Sequence, residues 1–153
     1  MNQSYRNPLV LYYIANWLYR HRVPVLPRLL QTCLFLACSA VVPYQANLGK
    51  GCKLGHGGSG VVIHPNVKVG DNVLIDHQVT IGGRSRQKSV PTIGSDVYIG
   101  AGAKVLGAIT VGDGCVIGAN AVVIASVPAR CVVAGVPARV VKSNVNAHDI
   151  ESW

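Results

Sequence analysis

No carboxylate precedes Asp71: the 153-residue chain holds six acidic residues, all at or beyond that position, against 14 lysines and arginines. Arg6, Arg20, Arg22, Arg28, Lys50, Lys53 and Lys68 therefore meet no acid in their own half of the sequence, and that half calls for an anionic neighbour. These cations are scattered rather than interleaved with aromatics, which sets nucleic acid aside. Aromatic residues make up only 6% and charged residues 13%, so the interior must be built from Val, Ile, Leu and Ala on a frame of 17 glycines. An apolar half of this kind excludes disorder, and the glycine content excludes a coiled coil. The five cysteines, at 33, 38, 52, 115 and 131, are odd in number and contain no C-x-x-C pair. That supports neither a zinc knuckle nor a disulfide framework, and it fits a reducing cytoplasm. The apolar stretch from Leu9 is broken by Asn16 and Arg20 with no small-residue cleavage site after it, so it does not read as a signal peptide.

Three parts follow from the pattern: a helical segment over 1–45, a repeat domain over 46–142 and a tail over 143–153. Asn7-Pro8 reads as a cap with proline at the first helical position, and Leu9, Tyr13 and Trp17 recur at helical spacing, which predicts a helix to about Arg20. Pro27 opens a second apolar run, Leu29 to Val42, interrupted by Gln31, Thr32 and Ser39. It falls short of the roughly 20 residues that a membrane span needs. The pair reads as helices packed on the main domain, with a membrane-surface hairpin flanked by Arg20, Arg22 and Arg28 as the alternative.

From Leu48 the period changes. Aliphatic residues recur every six positions, at Leu48 and Leu54, then Ile63, Val69, Ile75 and Ile81, then Ile93, Ile99, Val105, Val111, Ile117 and Val123. Gly51, Asn66, Asn72, Asp96, Gly102, Gly114 and Asn120 fall three positions after such residues, where a corner with positive φ is needed. Three hexads make 18 residues, the spacing of Ile63, Ile81, Ile99 and Ile117 and of Ile75, Ile93 and Val111. The simplest solid with this period is a prism of three parallel sheets with its aliphatic residues inward, a parallel β-helix. Spacing does not give its hand, and the general crossover rule favours the right.

Two places disturb the register, and inserted chemistry is expected there. Between Leu54 and Ile63 the step is nine residues, within Gly55-His56-Gly57-Gly58-Ser59-Gly60. Between Ile81 and Ile93 the hexad count is kept, but Gln87 occupies an aliphatic slot within 84–91, which should leave the prism as a basic loop. His56 and His77 each follow an inward aliphatic residue by two positions, so they should share one face on adjacent coils. An imidazole amid glycines beside a basic loop suits a general base, a role worth about 10² to 10⁴ in rate. Asp76 either orients an imidazole or occupies a solvated turn. His64 and His148 read as turn residues bonded to neighbours. A three-imidazole zinc site would need a tight pair, whereas His56, His64 and His77 are spaced by eight and thirteen, so no metal is expected.

The segments Leu48-Gly-Lys-Gly-Cys-Lys-Leu-Gly-His56, Val61-Val-Ile63, Val79-Thr-Ile-Gly-Gly83, Ile99-Gly-Ala-Gly-Ala-Lys-Val-Leu-Gly107, Ile117-Gly-Ala-Asn-Ala-Val-Val123 and Ala134-Gly-Val-Pro-Ala-Arg139 resemble the hexapeptide-repeat acyltransferases, in their serine acetyltransferase branch. The resemblance implies a mostly β chain, a left-handed parallel β-helix with a short helical segment, assembled as a homotrimer with sites between subunits. It implies acetyl-CoA as cosubstrate and no metal. His56 falls on the family's catalytic histidine, with His77 beside it. The pantetheine arm would run by Gly83, Ala101, Gly102 and Ala119, and the phosphates by Lys104 and Arg139, or Lys142. Asp76, His77 and Arg84 are the candidates for binding the acceptor.

Four features depart from that branch. Its aspartate fifteen residues before the histidine is Val41 here, its histidine before a loop proline is Val90, its helical domain is cut to about 45 residues, and the tail ends in Trp153. The helical pair, Leu54-Gly-His-Gly-Gly-Ser-Gly-Val-Val-Ile-His64 and Asp76-His-Gln-Val-Thr-Ile-Gly-Gly83 resemble short acetyltransferases of capsule, colanic acid or O-antigen assembly. That likeness implies a surface-polysaccharide sugar as acceptor and a cytoplasmic protein peripheral to the inner face of the membrane. Serine is the alternative acceptor, and a non-catalytic binding β-helix the reading from another class.

Overall fold

Each hexad supplies only two residues of strand, one facing out and one facing in, too little to hold alone. Stacking provides the missing hydrogen bonds. The computed structural model describes residues 7–85 and 89–145. One face of the prism is made by β1 (Asn47–Leu48), β4 (Lys68–Val69), β7 (Thr92–Ile93) and β10 (Thr110–Val111). A second is made by β2 (Lys53–Leu54), β5 (Leu74–Ile75), β8 (Tyr98–Ile99), β11 (Val116–Ile117) and β13 (Cys131–Ala134). The third holds β3 (Val62–Ile63), β6 (Thr80–Gly82), β9 (Lys104–Leu106) and β12 (Val122–Val123). Neighbours pair in parallel, except that β14 (Arg139–Ser143) runs antiparallel on β13 and closes that face.

Inward residues form one continuous core. Ile63, Ile75, Ile81, Ile93, Ile99 and Ile117 are buried, and no polar side chain is fully buried among the described residues. Burying an isoleucine contributes about 1.5–3 kcal/mol, so the ladder is the main source of stability. Six of the seven anticipated corners take positive φ: Gly51, Asn72, Asp96, Gly102, Gly114 and Asn120. Asn66 does not. Its N–H instead donates to His64 Nδ1 at 3.1 Å, which gives His64 the turn role expected of it.

The register departs from the 18-residue rule at the basic loop. Ile75 pairs with Ile99, Val69 with Ile93 and Ile81 with Val105, so the predicted stacks Ile75–Ile93 and Ile81–Ile99 do not form. The loop removes a whole hexad from the prism rather than distorting one side of it. Within it Arg84 and Ser85 are exposed and Pro91 is buried, while residues 86–88, with Gln87, lie outside the described residues. Between the other middle coils the 18-residue stacks hold, as in Ile63 with Ile81 and Ile99 with Ile117, whereas the insertion after Leu54 lengthens the first step, pairing Leu54 with Ile75, and the last coil shortens it, pairing Ile117 with Val133.

The first coil leaves backbone groups with no coil beyond them, and α1 (Leu9–Arg20) covers that end. Tyr12 Oη donates to Ala46 O at 2.6 Å and accepts from Leu48 N–H, Tyr13 Oη donates to Gly49 O at 2.6 Å, and Asn16 Nδ2 donates to Tyr44 O at 2.7 Å. Burial pushes Tyr13 up to about 12, which keeps that donor protonated. Just before α1, whose cap position is Pro8, Asn7 Oδ1 accepts from Leu9 N–H at 3.3 Å. The second helix, α2, spans Leu26–Cys38 rather than Leu29 to Val42. Pro27 lies in its first turn, where no intrahelical N–H is needed, and Ser39 turns left-handed and ends it. Val41 already bridges Val62 in the first coil. No helix among the described residues is long and apolar enough to cross a membrane.

All five cysteines are free. Burial pushes the Cys52 and Cys115 thiols up, and each donates to a carbonyl, Gly70 O at 3.2 Å and Pro128 O at 3.0 Å. Cys33 is exposed on α2. Ellman's reagent on the native protein is therefore expected to give a fast phase that Cys33→Ser abolishes, with Cys52, Cys115 and Cys131 reacting only after denaturant. Equal labelling of all five thiols without denaturant would contradict this packing.

Candidate active site

The three extra residues after β2 form a raised turn instead of a corner. Within Gly55–Gly58, His56 (φ 49, ψ 39) and Gly57 (φ 71, ψ 5) adopt left-handed backbone, a conformation histidine tolerates better than branched residues do. The turn is held from both sides: Gly60 N–H donates to Ser39 O at 3.2 Å, and Gln78 N–H donates to Ser59 O at 2.7 Å. The His56 side chain stands out, 67% exposed.

One coil away, Asp76 follows inward Ile75, which pairs with Leu54. Its Oδ1 lies 3.4 Å from His56 Nδ1, and its side chain is 14% exposed. The carboxylate rests against the Cα of Gly55, where any Cβ would overlap Oδ1. Glycine before the histidine is thus a condition of the Asp76–His56 approach. On the next coil, Tyr98 Oη donates to Asp76 Oδ2 at 2.8 Å. Burial, with the hydrogen bond to Asp76, pushes Tyr98 up to about 12, so it remains a donor throughout the working pH range. A chain Tyr98–Asp76–His56 therefore crosses three coils. Sequence reading missed Tyr98, because under an 18-residue rule it does not fall beside Asp76.

His77 lies beside His56 as the shared-face reading requires, ring centroids 4.9 Å apart at 69°. Its Nδ1 is enclosed and has no hydrogen-bond partner, so only Nε2 could serve a bound molecule. Ligand atoms of His56, Asp76 and His77 lie within 4.8 Å of one another, a set a divalent ion could bridge. The expectation of no metal weighed His56, His64 and His77, and His64 is engaged in its own turn.

The remaining candidates divide between edges of the prism. Gly102 N–H donates to His77 O at 2.9 Å, and Asn120 N–H donates to Ala101 O at 2.8 Å. Ala101, Gly102 and Ala119 therefore line the edge that leads away from His77. Gly83 and Arg84 follow β6 at a different corner and are exposed. Lys104 Nζ is held by Gln78 O at 2.7 Å and Gly102 O at 2.9 Å, leaving one of its three N–H donors for an anion. Arg139, at the start of β14, is exposed and donates to Ala138 O. Lys142 lies further along β14. His148 and Trp153 lie outside the described residues. A groove of about 390 Å³ opens beside His56, with Gly57 and Ser59 on one wall and Ala37, Cys38 and Ser39, the end of α2, on the other.

Residues 91–125 match the family model "Bacterial transferase hexapeptide (six repeats)". A serine acetyltransferase of Synechococcus elongatus is 45% identical over 125 residues, covering 80% of this chain and 51% of the relative. Among solved structures, serine acetyltransferase of Brucella abortus in complex with coenzyme A superposes with a TM-score of 0.84 at 36% identity, covering 90% of this chain and 56% of that one. Soybean serine acetyltransferase complexed with serine gives a TM-score of 0.81 at 35% identity, over 88% and 56%. The chain thus spans about half the length of the relatives it matches. The coil shares their left hand, against the general crossover rule.

Proposed function

This chain carries a bacterial transferase hexapeptide repeat within a left-handed β-helix resembling the serine acetyltransferases, and from that premise we propose that it moves acetyl from acetyl-CoA to the hydroxyl of serine, with His56 as general base. What carries the reading is an exposed imidazole on a groove, with its Nδ1 side closed by a carboxylate.

With Nδ1–H directed at Asp76, the Nε2 lone pair is free to face an acceptor. The hydroxyl proton passes to Nε2 as the alcohol oxygen bonds to the thioester carbonyl carbon. The tetrahedral adduct then breaks its C–S bond, and the leaving thiolate recovers the proton from the imidazolium. No acyl-enzyme forms. Asp76 stabilises the transient imidazolium, and Tyr98 holds Asp76 in turn.

The edge lined by Ala101, Gly102 and Ala119 suits the pantetheine arm, since small side chains let a thin chain lie on backbone. Gly83 and Arg84 project from another corner of the same chain. We take them to act across a subunit boundary in a homotrimer, where a neighbour would also cover the exposed face of His56.

The resemblance to short acetyltransferases of capsule, colanic acid or O-antigen assembly implies a sugar hydroxyl. The relatives are serine acetyltransferases, one of them complexed with serine, and this moves the proposal to serine. The deciding assay incubates the protein with acetyl-CoA and L-serine, following thiol release and O-acetylserine by mass spectrometry. Formation of O-acetylserine supports the proposal. Thioester cleavage only with a polysaccharide-type sugar would restore the sugar reading, and no cleavage or binding of acetyl-CoA would leave a non-catalytic β-helix.

A further inference from the structure

α2 buries only Pro27 and Leu34. Successive helical residues turn by about 100°, so the half-buried Gln31 and Cys38 share that side, and Leu29, Thr32, Cys33 and Leu36 form the opposite pole. Leu29 is 54% exposed, Leu36 76%, and neighbouring Val25 69%. A solvated helix presents charge on its outer pole, whereas the only charged residue of α2 is Arg28. An uncovered face of this composition needs an apolar contact.

Charge indicates what makes it. Arg20, Arg22 and Arg28 are exposed, and Arg22 and Arg28 line a cleft of about 440 Å³ at the helix–helix turn, with Tyr19 and Tyr44. None of the three has a carboxylate partner among the described residues, and no acid precedes Asp71 in the sequence. A second copy meeting this face would bring further arginines without a carboxylate from either hairpin to receive them. Apolar pole and unpaired cations together fit one partner, a surface with anionic heads over an apolar interior. At 13 residues, α2 cannot span such a layer but can lie in its interface.

We propose that the α1–α2 hairpin docks the protein on an anionic lipid bilayer, with Leu29 and Leu36 entering the acyl boundary and Arg22 and Arg28 taking lipid phosphates in the adjoining cleft. The docking does not depend on which acceptor the groove takes.

The test is flotation of the purified full chain with phosphatidylcholine vesicles containing about 30% phosphatidylglycerol, and with phosphatidylcholine alone. Each basic residue close to an anionic surface strengthens partition roughly fivefold, so removing the anionic lipid, or adding salt, should weaken it by about a hundredfold. Arg22→Gln with Arg28→Gln should weaken it by about tenfold or more. Leu29→Glu with Leu36→Glu should abolish flotation while leaving the circular-dichroism melting transition and the mass by light scattering unchanged. Failure of the wild type to float with anionic vesicles would overturn the proposal. So would undiminished flotation of the leucine variant, or a fall in its oligomeric mass, which would assign the face to another copy of the chain.

Discussion

His56→Ala is expected to lower kcat for acetyl transfer by about 10² to 10⁴, the contribution of a positioned general base. The ring is 67% exposed, so truncation opens no core cavity and the thermal transition should stay in place. Because the residue sits at φ 49, where alanine is strained, His56→Asn provides the companion variant. Asparagine tolerates the left-handed turn and offers no basic nitrogen. Both variants should still bind acetyl-CoA. Thiol release with saturating acetyl-CoA and serine, alongside calorimetric acetyl-CoA binding, checks this. A variant retaining wild-type kcat would remove the imidazole from the mechanism.

Asp76→Asn is expected to fall next, by on the order of 10- to 100-fold, mainly in kcat. A hydrogen bond to a charged group is worth about 1.5–3 kcal/mol, which converts to one or two decades in rate. The amide keeps the carboxylate's shape, so packing against Gly55 and Tyr98 survives, but it supplies no countercharge for the imidazolium. Its NH₂ can also donate to Nδ1, which leaves the proton on Nε2, the wrong nitrogen for a base. Gly55→Ala tests the same contact from the other side, since its methyl would occupy the space of Asp76 Oδ1. It should lower kcat without removing any titratable group. A wild-type rate in Asp76→Asn would show that the 3.4 Å approach has no part in the reaction.

The hexad ladder was legible because burial of one aliphatic residue in six leaves a periodic mark in composition. So was the His56–His77 pair, since Leu54 and Ile75 sit in register across the raised turn. The loop was not, because the six residues it adds between Ile81 and Ile93 look, by count alone, like a hexad that stays. That error of one hexad put Ile93 beside Ile75 and hid Tyr98 from Asp76. The carboxylate partner was legible only as an alternative: Asp76 read as an imidazole's support or a solvated turn, the family's position holds Val41, and the Leu54–Ile75 register is what sets Asp76 beside His56. Helix ends at Leu26 and Cys38 also escaped, since apolar periodicity continues through Ser39 into the first coil.

His56 and the far wall of its groove belong to different parts of the chain. The base is fixed to the coil through Gly55, Asp76 and Ser59, whereas Ala37, Cys38 and Ser39 are the end of the hairpin. Proton transfer and size selection thereby sit on different elements, joined by the hydrogen bond from Gly60 N–H to Ser39 O: a small tilt of α2 that keeps this bond alters which alcohol is admitted without moving the imidazole. Grafting another hairpin onto the same prism would then exchange acceptors, with the change read in KM, and leave the turnover of the smallest alcohol as it was.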